Sequence, residues 1–518
     1  MLHIISKKEF RFKMNKSYIS IFTKSSIIKG TIILTFAGFI TRIIGFLFRI
    51  FLTGKIGAEG LGIYQLIFPI QIVCFSFCTM GFEMAISKLV AANRKYSDNA
   101  GLYYLISGIL MSVIISVVIT VIVFTNSDYI ARRLLLEPRC SELVMYMSLS
   151  IPLASIHSCI CGYYLGIKNS RIPALTQVIE QLIRVISIYL IIMLFEKYNY
   201  RVTPVVAVMG SVIGELSSTI YCILSINKNL RKNFKYSVFY QKIKYVSKEI
   251  FMLSFPLTLN KLMLSILQSI QSVLIPSMLI TYGLSSKDAL SIYGIILGLV
   301  LPLIMFPSAI VNSMALLLLP AISEADSNNN TDKIQIATQK ATFFSIVFGI
   351  LCLGIFARYG NEISLLLFRN NSGEYISSLG LICPFIFVTA TMASTINGLG
   401  HTEITFIHNI VSTIIQILSI IFLIPRYGIN GYITGLIIST VISAISHYIS
   451  MYHLIKFKLN IMNTFIYPFI VIFLLIKICD FVFLNIITLS TIYAFICSGV
   501  VICILYSLIY INIFKHLS

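Results

Sequence analysis

Apolar residues run through this chain in blocks of about 20 or more, broken by short polar stretches. Taken in order, the blocks fall near 28–54, 62–88, 101–125, 142–167, 172–195, 203–225, 249–281, 289–319, 336–357, 376–399, 404–425, 431–455, 463–484 and 488–512. A helix rises 1.5 Å per residue, so roughly 20 apolar residues cross the ~30 Å hydrocarbon core of a bilayer. The pattern therefore predicts an all-α polytopic membrane protein with about 14 transmembrane helices. Pro69, Pro152, Pro173, Pro256, Pro302, Pro307 and Pro384 fall inside or at the edges of blocks and predict bends or breaks there.

Polar positions inside the blocks carry the functional signal. The first block holds Arg42 and Arg49, and a central arginine costs ~2.5–3.5 kcal/mol on insertion scales, so such residues face a partner or a watery cavity. Gly38, Arg42, Gly45 and Arg49 fall at i, i+4, i+7 and i+11, one helical face, with the two arginines about 10 Å apart along the axis. Each glycine removes bulk beside a guanidinium, where a helix or an anionic head group can approach. Arg42 lies nearer the middle and is the stronger binding candidate, whereas Arg49, near the outer end, can snorkel to water or lipid phosphate.

The fifth block has a polar stripe of Gln177, Glu180, Gln181 and Arg184, with Glu180 and Arg184 at the i, i+4 spacing of an ion pair. The seventh repeats the spacing of the first with Lys261, Ser265, Gln268 and Ser272. Acids inside or near spans are Glu83, Glu180 and an isolated Glu215; each is a candidate for proton or cation coupling or a satisfied buried acid. The cations slightly outnumber the acids, and a cavity lined this way favours an anionic ligand.

Composition narrows the class. The chain is 58% hydrophobic and 11% charged, too apolar for a soluble fold. Its formal charge of +20 resembles a nucleic-acid signal, but most Lys and Arg sit in short runs between blocks. The positive-inside rule then puts both termini and the connections at 89–99, 168–171, 226–248, 320–335, 400–403 and 456–462 in the cytoplasm, with no nucleic acid implied. The basic N-terminus precedes a block too long for a signal peptide and without a cleavage site, so an uncleaved first helix is expected. In the absence of tryptophan, Tyr103, Tyr104, Tyr163 and Tyr164 are expected as interfacial anchors. The cysteines read as small membrane hydrophobes. Walker loops, HExxH, clustered metal ligands and nucleophile elbows are all missing, which points away from an enzyme, a cofactor or a metal site.

Short matches about 229–236 residues apart indicate a parallel repeat of six spans: Leu61–Tyr64 with Leu290–Tyr293, Ala85–Lys88 with Ala321–Glu324, and Ile186–Ile188 with Leu418–Ile420. The expected organisation is a basic N-terminus (1–27), a first half (28–225), a basic linker (226–248), a second half (249–455) and two further helices with the C-terminus (456–518).

Thr41–Phe46, Arg49 and Gly57–Gln65 resemble the opening of the stage V sporulation protein B group of the multidrug, oligosaccharidyl-lipid and polysaccharide (MOP) exporter superfamily, which includes the lipid II flippases. Ser87–Ala91, Glu180–Arg184 and Leu319–Ala325 agree in order. The resemblance implies a MATE-like V of two six-helix lobes around a central cavity, with two extra C-terminal helices that shelter a polyprenyl tail. It implies a plasma-membrane flippase for a lipid-linked anionic sugar, a peptidoglycan precursor for the spore cortex, with cell-wall synthesis proteins as partners. Arg42 matches a first-helix arginine that engages pyrophosphate, and Arg49 is displaced by about a residue from a second. Glu83 stands where the group has proline, and Gln271 where it has an aspartate. A cation or drug antiporter of the same superfamily, built on Glu215 or Glu83, and a non-transporting scaffold for cell-wall synthesis are the alternatives.

Overall fold

Within a bilayer no water satisfies free N–H and C=O groups, so a spanning chain closes its hydrogen bonds inside helices. The computed structural model describes residues 19–93, 100–233, 236–487 and 491–516, and every element among them is helical. Thirteen of the described helices are long and apolar enough to cross a membrane, or up to 14 with the bent pair Pro138–Ser148 and Ser150–Gly166 taken as one span.

The first two blocks form a run broken at Gly57, whose φ of 72° lies in the left-handed region that glycine tolerates. The eighth block is two helices, Ser286–Met305 and Ser308–Ser327, and Pro307 caps the second. The fourth bends by 42° just before Pro152. Pro256, by contrast, sits inside the continuous helix Tyr236–Thr281, where packing against neighbouring helices lets a missing hydrogen bond be tolerated. The stretch 226–248, expected as a linker, is helical on both sides of residues 234–235, because Pro204–Asn233 and Tyr236–Thr281 extend into it. Residues 1–18 of the basic N-terminus lie outside the described residues, as do the side chains of Lys228, Arg231, Lys232 and Lys235.

The tyrosines expected as interfacial anchors are buried instead. Tyr103, Tyr104, Tyr163 and Tyr164 pack between the third and fourth spans in one apolar cluster, and Tyr104 donates to Glu249 Oε2 of the seventh helix at 2.5 Å. The Tyr104 hydroxyl also accepts from Asn93 Nδ2 at 3.2 Å, the kind of partner a buried tyrosine requires.

Glycines set the closest approaches. The repeat-related segments Leu61–Tyr64 and Leu290–Tyr293 lie against each other: a Cβ on Gly62 would collide with the Leu290 carbonyl, and one on Gly294 would lie 2.5 Å from Gly62 N. The fifth and sixth spans form a tight hairpin in which Gly210 meets Ile188, and the eleventh and twelfth form its counterpart, with Gly435 against Ser419. Small residues at such crossings let backbones touch and gain dispersion contact that lipid cannot supply. Gly294→Val should destabilise the protein by about 1–3 kcal/mol, lowering its melting temperature in detergent by several degrees. Gly38→Ala, whose new methyl meets nothing within 4 Å, should leave the melting temperature unchanged or slightly higher.

Candidate anion-binding cavity

Three guanidinium groups from two helices meet in one space. Arg42 and Arg49 project from one face of the first helix, as their spacing requires, and Arg184 comes from the fifth span, Arg171–Lys197, packed alongside. With Thr41, Gly45 and Gln181 they line a cavity of about 550 Å³ that has no carboxylate in its wall. Pro302, Met305 and Phe306 of the eighth span form the apolar side opposite. Exposure falls from Arg42, which is open, to half-buried Arg49, so the cavity deepens along the first helix from Arg42 to Arg49.

Arg42 has no ion-pair partner among the described residues. Arg49 Nη1 reaches across to the carbonyl of Gly298 at 3.5 Å, within the π-helical turn Ile296–Val300. Arg49 thus turns inward, toward a backbone acceptor and the cavity, rather than away from the helix bundle as a snorkelling side chain would. Gly38 lies outside the lining with open space beside it, whereas Gly45 lines the cavity, and a Cβ there would meet only Gln181 Nε2 at 3.5 Å, so it widens the wall rather than seats a helix. Gln181 Oε1 and Arg184 Nε are buried without partners. The Arg49 and Arg184 charges repel each other, and in a low-dielectric setting such a cluster is best stabilised by an anion.

Behind Arg184 lies a second cavity, of about 520 Å³, with the opposite sign. Glu83, Glu180 and Glu215 line it together with His157. Glu180 accepts from Arg184 Nη2, the ion pair its spacing predicts. Glu215 is 6% exposed and shares a 2.8 Å hydrogen bond with His157 Nδ1, and Glu83 Oε2 accepts from Ser158 Oγ at 3.1 Å. His157 is the residue the sequence pattern misses, since it stands 58 positions from Glu215 on another helix. Its location inside an apolar block is the signal that could have found it, by the argument applied to Arg42. Donor atoms of His157, Glu180 and Glu215 lie within 4.8 Å of one another. They are engaged, by the His157–Glu215 and Arg184–Glu180 pairs, as a charge-paired network rather than an open ligand set.

Lys261 and Gln268 are exposed on the seventh helix and line neither cavity. Their stripe faces otherwise than the first helix's because Ser265 Oγ hydrogen-bonds Ser76 Oγ at 2.6 Å, fixing that side against the second span. Gln271 Nε2 donates to Gln416 Oε1 at 2.5 Å, a neutral amide pair.

The two cavities should differ in the reagents they admit. Thr41→Cys should react roughly tenfold faster with an anionic thiol reagent than with a cationic one of the same size, and Ala154→Cys should show the opposite order. Labelling rates measured against the unsubstituted chain, at low and high salt, check both signs.

The sequence matches the family described as "Polysaccharide biosynthesis protein" over residues 27–326. Among curated relatives, Stage V sporulation protein B of Bacillus subtilis (strain 168) is 23% identical over 81% of this chain and 83% of its own length. Lipid II flippase MurJ of the same organism is 23% identical over 59% of each. Among solved structures, lipid II flippase MurJ in an inward closed conformation superposes with a TM-score of 0.70 at 17% identity, covering 93% of this chain and 99% of that one. An inward-facing multidrug resistance MATE family transporter of the MOP superfamily gives 0.62 at 16% identity over 80% and 94%. At these identities the structural likeness is one of fold. With more than half of its length inside the family match, the chain belongs to the polysaccharide biosynthesis protein family and has the MurJ/MATE fold of the MOP superfamily.

Proposed function

We propose that this protein is a flippase that moves a polyprenyl-pyrophosphate-linked sugar, a lipid II-like peptidoglycan precursor for the spore cortex, from the cytoplasmic to the outer leaflet by alternating access. The observation that carries this reading is the cavity with three arginines and no carboxylate. Arginine suits a pyrophosphate because its planar donors bind two oxygens at once. Arg42, unpaired and accessible, makes the first contact; Arg49 and Arg184 add charge deeper in.

The substrate's apolar tail has a place as well. An apolar groove of about 350 Å³ lies between Ile32, Phe36 and Phe39 of the first helix and Ala309, Ile310 and Leu317 of the eighth. It adjoins the cationic cavity through the Phe39 and Phe306 rings, 5.5 Å apart. A polar head and an oily chain can thus be held side by side. The relatives named for sporulation and for lipid II support the substrate class, and the charge distribution supports cytoplasmic termini and a plasma-membrane setting.

The acidic cavity favours a second reading, a cation or drug antiporter, and a scaffold for cell-wall synthesis would show neither activity. Reconstituted protein should flip fluorescent lipid II across vesicle membranes without extruding a cationic dye; the reverse result would select the antiporter. Arg42→Ala should slow flipping about tenfold or more, the loss of a charge-assisted contact, while the protein stays in the membrane. Flipping at the unsubstituted rate would sink the assignment of Arg42.

A further inference from the structure

Arg184 lines both cavities. One of its nitrogens, Nη2, is held by Glu180 on the acidic side, while its Nε–H is buried and has no acceptor. The ion pair is the link between a space that attracts anions and a space that holds acids. Whatever draws the guanidinium toward the first cavity takes it from Glu180.

The charged and titratable groups around Glu180 come from every neighbouring span. Glu215 and His157 face it from the sixth and fourth, with their donor atoms within 4.8 Å of its own. Glu83 of the second span lines the same cavity, and Lys261 of the seventh acts on Glu83 from outside it. The thiols of Cys161 and Cys222 stand beside His157, and Arg49 approaches Arg184 from the first helix. Glu180 and Arg184 are each about one-fifth exposed, so cavity water reaches both. If the guanidinium leaves, the cavity holds Glu83, Glu180 and Glu215 against a single imidazole, and a carboxylate next to a like charge gains proton affinity.

We propose that Glu180 is a proton-binding site coupled to the anion cavity through Arg184. An anion in the first cavity draws Arg184 off Glu180, and a proton from water bonds to the freed Glu180 carboxylate oxygen. When the anion leaves, Arg184 returns and the proton goes back to water. No other bond forms or breaks, and the protein binds one anion and one proton together. Coupling of this kind is reciprocal, so acid strengthens anion binding as much as the anion strengthens proton binding. The inference rests on the anion-binding reading of the first cavity, and it adds a pH control: the more acidic side of a membrane holds the anion more tightly and the other side releases it more readily.

The test uses full-length protein in lipid nanodiscs with inorganic sulfate, an anion whose charge is constant between pH 6 and 8. Apparent affinity is read from the sulfate dependence of the melting temperature at fixed ionic strength, and proton uptake from an indicator dye in weak buffer. The unsubstituted protein should bind sulfate more tightly as pH falls, by up to about tenfold per pH unit for one proton taken up per anion. Glu180→Gln should bind sulfate with no proton uptake and no pH dependence. Arg184→Gln, which leaves Glu180 in place but cuts the link, should bind more weakly and likewise without pH dependence, and it carries the test if Glu180→Gln does not fold. Binding that Arg42→Ala weakens but pH does not alter would overturn the proton proposal and leave the anion reading standing. Proton uptake retained in Glu180→Gln, or sodium replacing the effect of acid at fixed pH, would also overturn it. No sulfate binding at any pH would remove the anion reading and this proposal together.

Discussion

The main chain touches itself where Gly62 meets Leu290 and Gly294 meets Gly62, and the arginine cavity is built beside that contact. Nothing larger than glycine fits, so the start of the second span and the eighth approach as closely as main chains can. One turn further along the eighth span, Gly298 offers its carbonyl to Arg49. The contact therefore sets where an arginine can find a partner across the cavity. The two segments that match in sequence, Leu61–Tyr64 and Leu290–Tyr293, are the ones that meet here.

Charge is sorted with similar economy. Arginines face one space and acids the next, and the Arg184–Glu180 pair stands between them. Pairing is what makes these charges tolerable in a membrane, since breaking a buried pair leaves an uncompensated ion. Between the seventh, eleventh and twelfth spans, side chains meet without an opposite charge. Gln271 binds Gln416, and His408 and His447 lie edge to face with ring centroids 4.5 Å apart. The charged groups that line the two cavities thus come from residues 42–215, whereas residues 298–308 contribute a largely apolar wall and a backbone acceptor.

Much of this was legible before any coordinates. A bilayer permits few backbone solutions, so block lengths gave the helices, and the 3.6-residue period placed Arg42 and Arg49 on one face. The Glu180–Arg184 pair followed from local spacing for the same reason. What the sequence left open was which way a face points. Lys261 and Gln268 share the spacing of the first helix, but Ser265 binds Ser76 and turns that stripe away from the cavity. The four tyrosines sit where anchors are expected, near span ends, yet a span end packed on its neighbours is indistinguishable in sequence from one facing head groups. The His157–Glu215 contact joins different helices, beyond the reach of any periodicity.

The glycines of the sixth span have a further consequence. A Cβ on Gly214 would lie 2.8 Å from the Glu180 carbonyl and 3.1 Å from Arg184 Cβ, and one on Gly210 would lie 3.2 Å from the Arg184 carbonyl. The main chain beneath the ion pair is therefore clamped, and only the side chains have freedom to move. Rotamer changes take picoseconds to nanoseconds in open sites, while the rocking of helical bundles takes microseconds to milliseconds. Any exchange of partners by Arg184 is therefore a rotation of its own side chain and needs no shift of either helix.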